Sequence, residues 1–544
     1  MAAAAFAGLL VAAGTDPVNA RTPDADPSIP GQSTAPARLA DLCQVPALRP
    51  GQMASPRPLR GLPVRRALPR LALFATPATP AVIAPTAPPP RRLVKAHLAR
   101  LSLLPMPMPA AKPERRTLII TVAGDLGFGG HMQPVRGGGA VRHGGTIPWP
   151  ELTARIRPLI DGDLNFANLE TVVTERNDLR AESKTFNFRS HPDGVRHIAS
   201  LGINLLSTAN NHSMDFGATG AFDTLAHLDR IRDAGKLKAH AGLGRNREEA
   251  GRPQLVDVRG GRIAFSAVGI VSGGFPLHRA GDNRPGQMAY QSPEDFADVT
   301  ERLAAADAQY RILSVHHGAE RQVVADATAI RKFRHEAVRE RGIDLVVGHH
   351  AHVVQGIEMV DGRLIFYGLG NFLHPGMQNM ATQGICRDYG LLARIHLATG
   401  DDGRFQVRAV EIVPLTDMHF KPARMLGAQA AERVNVLTYL AGGLDDPRSG
   451  ARGVRFAAQT NGTGLYCAAG AGDDPGRVGE LCRGWSGPDA LTPAQRSRVA
   501  SSCGTIGQPQ LIARTPGEPR TQRVSQRNRP EQSTKSIFSF IFGN

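Results

Sequence analysis

Six short apolar runs, separated by stretches of helical periodicity, predict a layered α/β domain in the middle of this chain. The runs are nearly continuous in Val, Ile, Leu and Ala, as strands buried on both faces should be. Five of the six end on Asp, Glu, Asn or His, where packing alone would favour Val or Leu. Charge bounds the domain. Residues 1–116 hold fifteen Lys/Arg against five Asp/Glu, or +10, and residues 504–544 add +4, so of the formal +16 only about +2 belongs to the middle.

The elements follow in order. TLIITVAGD, from Thr117, is a β-branched run that closes on Gly124 and delivers the Asp125 carboxylate to its C-terminal end. DLNFANLE (163–170), GINLLSTANNH (202–212), RIAFSAVG (262–269), YRILSVHHG (310–318) and IDLVVGHHAH (343–352) continue the series of short apolar runs. Between them, WPELTARIRPLI, TGAFDTLAHLDRIRDAG and ATAIRKFRHEAVRERG space apolar residues three and four apart, and the last two close on Gly as helix C-termini do. After 353, VVQGIEMVDGRLIFYGLGNF, LLARIHLATG and FQVRAVEIV read as consecutive strands with Asp-Gly type turns, so the domain is expected to finish as an antiparallel sheet near 415. A helix, AQAAERVNVLTYLA, and a Gly-rich segment come after it.

The expected organisation is a signal peptide over 1–20, a Pro/Ala/Arg-rich disordered leader over 21–113, the main domain over 114–420, a small helical and Gly-rich extension over 427–503, and a basic disordered tail over 504–544. The first segment ends in Val18-Asn19-Ala20, which fits a small-x-small cleavage site, but it lacks a positive n-region. Export is therefore the expectation, to the periplasm or cell envelope, with a cytoplasmic protein carrying a disordered leader as the alternative. No run reaches the roughly 18 apolar residues that span a bilayer. With the body near neutral, no specific nucleic-acid role is expected; the basic flanks suit an acidic surface or simple solvation. Cys43, Cys386, Cys467, Cys482 and Cys503 form no CxxC, which argues against a thiolate zinc site. The last three leave one disulfide or buried thiols equally open.

The strand ends carry Asp125, Asn168, Glu170, Asn210, Asn211, His212, Asp215, His316, His317, His349, His350 and His352. Ligands of an α/β sheet collect at the carboxyl ends of its strands, so residues this dispersed can converge. Carboxylate, amide oxygen and imidazole together suit divalent Mn, Fe, Zn or Co. Asp125 alone has a lesser reading as a turn former, and Glu170 alone reads equally as an exposed strand residue. Three histidines in four residues after DLVV resist such a reading; His350 and His352 alternate to face one side of an extended segment, with His349 facing the other.

GDLGFGG, NLETVVT, STANNHSMDFG, VHHGAE, VVGHHAHVVQG and FYGLGNF occur in that order, and together they resemble the CapA family of poly-γ-glutamate capsule synthesis proteins, within the calcineurin-like metallophosphatase superfamily. The resemblance covers roughly 117–415. It implies an α-β-β-α sandwich of the metallophosphatase type holding two divalent metal ions, Mn, Fe or Zn. It implies Asp125, Glu170, Asn211, His316, His350 and His352 as metal ligands, with Glu170 at the bridging position. His212 becomes the imidazole facing substrate, with Asp215 to orient it. Substrate contacts are expected from Asn168, Asn210, Arg189 and His317, the last standing where the family has Trp. Ala351 replaces the proline of the family's HPH, and Gly127 stands where the superfamily commonly has a further histidine, for which His131 is the nearby substitute.

The chemistry implied is hydrolysis of an anionic polymer such as poly-γ-glutamate, or of a phosphoester, in biosynthesis, release or trimming of a capsule, with a capsule-synthesis membrane complex as partner. Arg176, Arg180, Lys184 and Arg189 lie in a loop able to reach over the site and would suit a polyanion; a solvated charged loop explains them as well. A non-catalytic polymer-binding or export component, and a phosphodiesterase unrelated to capsule, are the alternatives.

Overall fold

The apolar runs fold as parallel strands because each is flanked by a helix that returns the chain, and each splits its side chains between two faces. The structure, a computed structural model, describes residues 115–142, 145–271 and 275–506, all within one compact unit, Leu104–Asn544. The expected leader, Cys43 and most of the tail lie outside the described residues.

The principal strands are β1 (Thr117–Leu126), β2 (Leu164–Leu169), β3 (Leu205–Ser207), β4 (Ala239–Ala241), β5 (Gln254–Val258), β6 (Gly261–Gly269), β7 (Tyr310–His316), β8 (Leu345–His349), β9 (Ile357–Val360), β10 (Arg363–Phe366), β11 (Asn371–Leu373), β12 (Gly390–Thr399), β13 (Phe405–Thr416), β14 (Arg452–Gly453), β15 (Ala457–Ala458) and β16 (Gly464–Cys467). The helices that matter here are α1 (Pro192–Ser200), α2 (Gly217–Asp233), α3 (Pro293–Ala305), α4 (Ala327–Ile330), α5 (Gly427–Gly442) and α6 (Pro493–Cys503). One sheet runs β15-β16-β13-β12-β1-β2-β3-β4, with β11 also paired to β1; the other runs β5-β6-β7-β8-β10-β9-β14.

Alternation along the strands builds the layers. Ile120, Val122, Phe166 and Leu205 of the first sheet share one core with Phe265, Ile312, Leu345 and Val347 of the second. Their neighbours Ala123, Ala167 and Leu206 face outward onto Val195 and Ile198 of α1 and Leu228 and Ile231 of α2. Across the molecule, Leu313, Val315 and Val346 face Phe296 and Val299 of α3 and the segment Ala329–Ala337. Helix, sheet, sheet and helix are thus stacked in the expected α-β-β-α order, and each fully buried Leu, Ile or Phe contributes roughly 1.5–3 kcal/mol. Ser292 and Asp326 cap α3 and α4 by accepting from the backbone three residues on, which starts both helices at the ends of their loops.

β9 with β10 and β12 with β13 make the expected antiparallel pairs, and the domain's last long strand ends at Thr416. The strands after 353 do not make a sheet of their own: β10 pairs parallel to β8, β11 parallel to β1, and β12 antiparallel to β1, so they complete the two existing sheets. The segment 427–503, expected as a small extension, joins both sheets as well. It adds β14 to one sheet, on β9, and β16 with β15 to the other, on β13, and α5 packs Val434, Leu437 and Leu440 into the inter-sheet core.

Two disulfides tie this C-terminal segment down. Cys467–Cys482 closes a short loop, and Cys386–Cys503 joins α6 to the loop before β12, with Cα separations of 5.8 and 5.5 Å.

Candidate metal centre

β1, β2, β7 and β8 are adjacent or face one another across the core, and their carboxyl ends open at one place. Asp125 leaves β1 beside Asn168 of β2 and Asn371 of β11. The close pairing of β1 with the Gly370 turn excludes any side chain at Gly124, where a Cβ would lie 1.8 Å from the Gly370 carbonyl oxygen. That contact draws Asn371 next to Asp125, and Asn371 Oδ1 then accepts from His352 Nδ1 at 2.8 Å.

Two groups of ligand atoms result, and Glu170 belongs to both. Glu170, His316 and His350 present atoms within 4.8 Å of one another, as do Asp125, Glu170 and His352. His316 Nε2 lies 3.3 Å from Glu170 Oε1, 3.1 Å from His350 Nδ1 and 2.6 Å from Asn211 Oδ1, which makes Asn211 the fourth donor of the first group. His352 Nδ1 lies 3.3 Å from Asp125 Oδ2. All six residues expected to bind metal are therefore brought together.

His350 and His352 arrive by a route other than the expected one. β8 ends at His349, and the two histidines sit in a loop with φ of +89° and +54°. Left-handed backbone, rather than strand alternation, turns both imidazoles into the centre. His349, read as facing away, lies on the inner face: it stacks obliquely near Phe166 and sets Nδ1 3.3 Å from Asp125 Oδ1.

The electrostatics fit cations. Glu170 is fully buried and neither carboxylate oxygen has a hydrogen-bond partner, a costly state that bound ions would relieve. Burial and the nearby Asp125 charge hold the Glu170 carboxyl well above its ordinary range. Burial acts on Asp125 in the same sense, but the hydrogen bonds and charges of His349 and His352 bring it well below. Burial, reinforced by neighbouring imidazoles, pushes His316 far down and His350 down to about 3, which leaves both neutral and ligand-competent. Burial would lower His352 also, but Glu170 and Asp125 raise it to about 10. The oxygen and nitrogen donors, with no thiolate, match borderline divalent ions.

His212 and Asp215 form a dyad beside this centre. His212 Nδ1 donates to Asp215 Oδ2 at 2.7 Å, and Nε2 points toward Glu170 Oε1 at 3.9 Å. Lys184 Nζ braces the dyad, reaching Asp215 Oδ1 at 2.5 Å and the Asn211 carbonyl at 2.6 Å. The Phe188 ring packs on His212 with centroids 4.4 Å apart.

Each of the four residues expected to touch substrate has partners within the protein. Asn168 donates to Asp125 Oδ1 at 2.9 Å, and Asn210 donates to the Leu169 carbonyl and accepts from His212 N–H, so both position other residues. Arg189 is buried against Phe216 and donates to the Gln133 carbonyl, because its strand pairing turns it inward. His317 falls on the opposite face of β7 from His316 and packs on Phe333 and Tyr290, its Nε2 on the Tyr367 carbonyl. His131 is exposed and accepts from Asn187 N–H. Of the loop cations, Lys184 alone is tied to the dyad; Arg176 pairs with Asp178.

Residues 119–375 match the family model described as bacterial capsule synthesis protein PGA_cap. The chain is 30% identical over 248 residues to the PGA biosynthesis protein CapA of Bacillus subtilis, covering 45% of this chain and 60% of that one. It is 33% identical over 231 residues to a probable polyglutamine synthesis accessory protein of Mycobacterium tuberculosis, covering 41% and 58%. It thus spans about 60% of the length of these curated relatives. A crystal structure described as a novel phosphatase from Mycoplasma pneumoniae aligns over 55% of this chain and 93% of its own at 12% identity, with a TM-score of 0.34, too weak a likeness to carry more.

Proposed function

Because the domain spanning 119–375 belongs to the CapA family of capsule and poly-γ-glutamate synthesis proteins, we propose that this chain is a metal-dependent hydrolase that trims or releases an anionic polymer of the polyglutamate kind. The observation that carries this reading is Glu170, a buried carboxylate with two unpartnered oxygens shared by two ligand groups. Asp125, Glu170 and His352 would hold one ion, and Glu170, Asn211, His316 and His350 the other. Bound there, divalent ions supply an acidified water and a polarised electrophile.

The chain's own residues supply the proton. Asp215 accepts from His212 Nδ1, which fixes the tautomer and leaves Nε2 as the atom that carries a proton to the leaving nitrogen or oxygen. Lys184 Nζ pairs with Asp215 Oδ1 and prevents the carboxylate's rotation away from His212. Phe188 covers one side of the imidazole and limits water there.

The same reading places the chain outside the cytoplasm. Two disulfides support it, since such bonds persist in oxidising compartments. Among the described residues, no helix is long and apolar enough to cross a membrane.

The test is chain-length analysis of poly-γ-glutamate, alongside phosphodiester substrates, incubated with the full chain loaded with Mn²⁺ or Zn²⁺. His212→Ala should lose about 10²–10⁴ in turnover with metal content unchanged. A loaded wild type that leaves every polyanion intact would refute hydrolysis and leave polymer binding as the family role.

A further inference from the structure

The two ligand groups are unequal. One has four donors, Glu170, Asn211, His316 and His350; the other has three, Asp125, Glu170 and His352. Beside the poorer group stands an imidazole with no other task. His374 is fully buried, and neither of its ring nitrogens has a hydrogen-bond partner.

We infer that His374 is a further metal ligand of this chain, completing the Asp125, Glu170 and His352 position to four donors. The inference rests on the metal-centre reading above.

Position supports it first. β11 runs parallel to β1 with Asp125 opposite Asn371 and Leu126 opposite Leu373, so the residues that leave both strands enter the same space. Gly127 N–H donates to the Leu373 carbonyl at 2.9 Å, and His374 N–H donates to the Met418 carbonyl at 2.8 Å, which pins the backbone on both sides of the ring. The imidazole occupies the room that a side chain at 127 would take: a Cβ there would lie 3.4 Å from His374 Nε2.

Direction supports it next. His374 Nε2 lies 4.0 Å from Glu170 Oε2, whereas the other oxygen, Oε1, is the one near His316. The His374 and His352 rings are 6.0 Å apart, centroid to centroid. Donors that share an ion at about 2.0–2.2 Å from it stand roughly 3–4 Å from one another, a range that the 4.0 Å between His374 Nε2 and Glu170 Oε2 meets.

A packing role does not account for the residue. His374 meets Phe188 edge to face at 5.1 Å, a contact that Leu or Phe would make without burying two unpaired nitrogens. Histidine is the residue that gains from an ion at this place.

The experiment uses the full chain, stripped with chelator and titrated with Co²⁺ while visible absorption reports coordination. Wild type should take up two ions. His374→Leu should keep one at wild-type affinity and bind the other at least tenfold more weakly, the loss seen when even outer-shell partners of a metal are removed. His350→Ala should instead weaken the other position, and the two variants should differ in which absorption band they lose. Thermal melting in chelator guards against misfolding: His374→Leu should melt no lower than wild type, since it removes only unpaired polar atoms. Unchanged uptake of both ions by a folded His374→Leu overturns the assignment, whatever happens to turnover. A wild type that binds no Co²⁺ overturns the metal-centre reading itself, and this inference with it.

Discussion

Glu170→Gln should change the sign of its effect on stability when metal is supplied. In the metal-free protein the substitution removes a buried carboxylate whose two oxygens lack partners. An unsatisfied buried polar group costs about 1–3 kcal/mol, more if charged, and a neutral amide of the same shape relieves the larger part. For a folded body running from 115 to 506, an unfolding entropy of about 2.1 cal/mol/K per residue makes 1 kcal/mol worth roughly 1 °C. The glutamine variant in chelator should therefore melt about 1–4 °C above wild type. With divalent ion at 100 times the dissociation constant, each site stabilises wild type by about 2.7 kcal/mol. Because Glu170 serves both groups, its loss should remove about 5 kcal/mol, so the order reverses and wild type melts higher. Differential scanning fluorimetry with EDTA and then with Mn²⁺ or Zn²⁺ reads both arms. A wild type indifferent to every ion, with the variant less stable in EDTA, would show that the carboxylate is a structural partner of His316 and refute the metal reading.

Three further outcomes follow from the fold. Replacing Cys386 and Cys503 by Ser opens a loop of sequence separation 117 and should cost about 2–5 kcal/mol, lowering the melting temperature of the unreduced protein but not of the reduced one; equal losses in both would refute the bond. Lys332 donates to the Tyr290 carbonyl and lies over the Tyr290 and Phe296 rings, and burial lowers it to about 8. Between about 8 and 10.4 the folded state has released a proton that the unfolded state still holds, so stability should rise with pH across that window and Lys332→Met should remove the slope; urea midpoints at several pH values check it. Truncation after residue 420 removes β14, β16 and α5 and should yield insoluble protein, whereas a soluble, metal-binding fragment would refute the joining of the C-terminal segment to both sheets.

The layering was legible because it rests on local pattern, and the six expected ligands because their ordered motifs resemble those of a known family. An apolar run that ends in a carboxylate or imidazole says where a side chain is delivered, yet Asp125 and Glu170 each keep a plainer reading until the ordered motifs are taken together. Illegible were the contributions set by pairing between distant strands. His374 follows NFL with no neighbouring donor to mark it, and it reaches the centre only because β11 lies along β1. His317, expected at the substrate, packs on the side away from His316, an alternation that adjacency in sequence hides. Arg189 looked like a surface cation, yet the short pairing of its strand buries it. Cys386 pairs across a separation of 117, which no spacing rule could suggest.

The backbone at 350–352 has a consequence for how such a protein can change. Two non-glycine residues at positive φ cost on the order of 1 kcal/mol each, and Gly or Asn would relieve that strain. Those substitutions would also strip both ion positions of an imidazole. Laboratory selection for heat tolerance alone would therefore be drawn to these two codons, and the variants it enriched would be sturdier and inert. Selection for tolerance and for metal uptake together should hold both histidines and find its gains elsewhere.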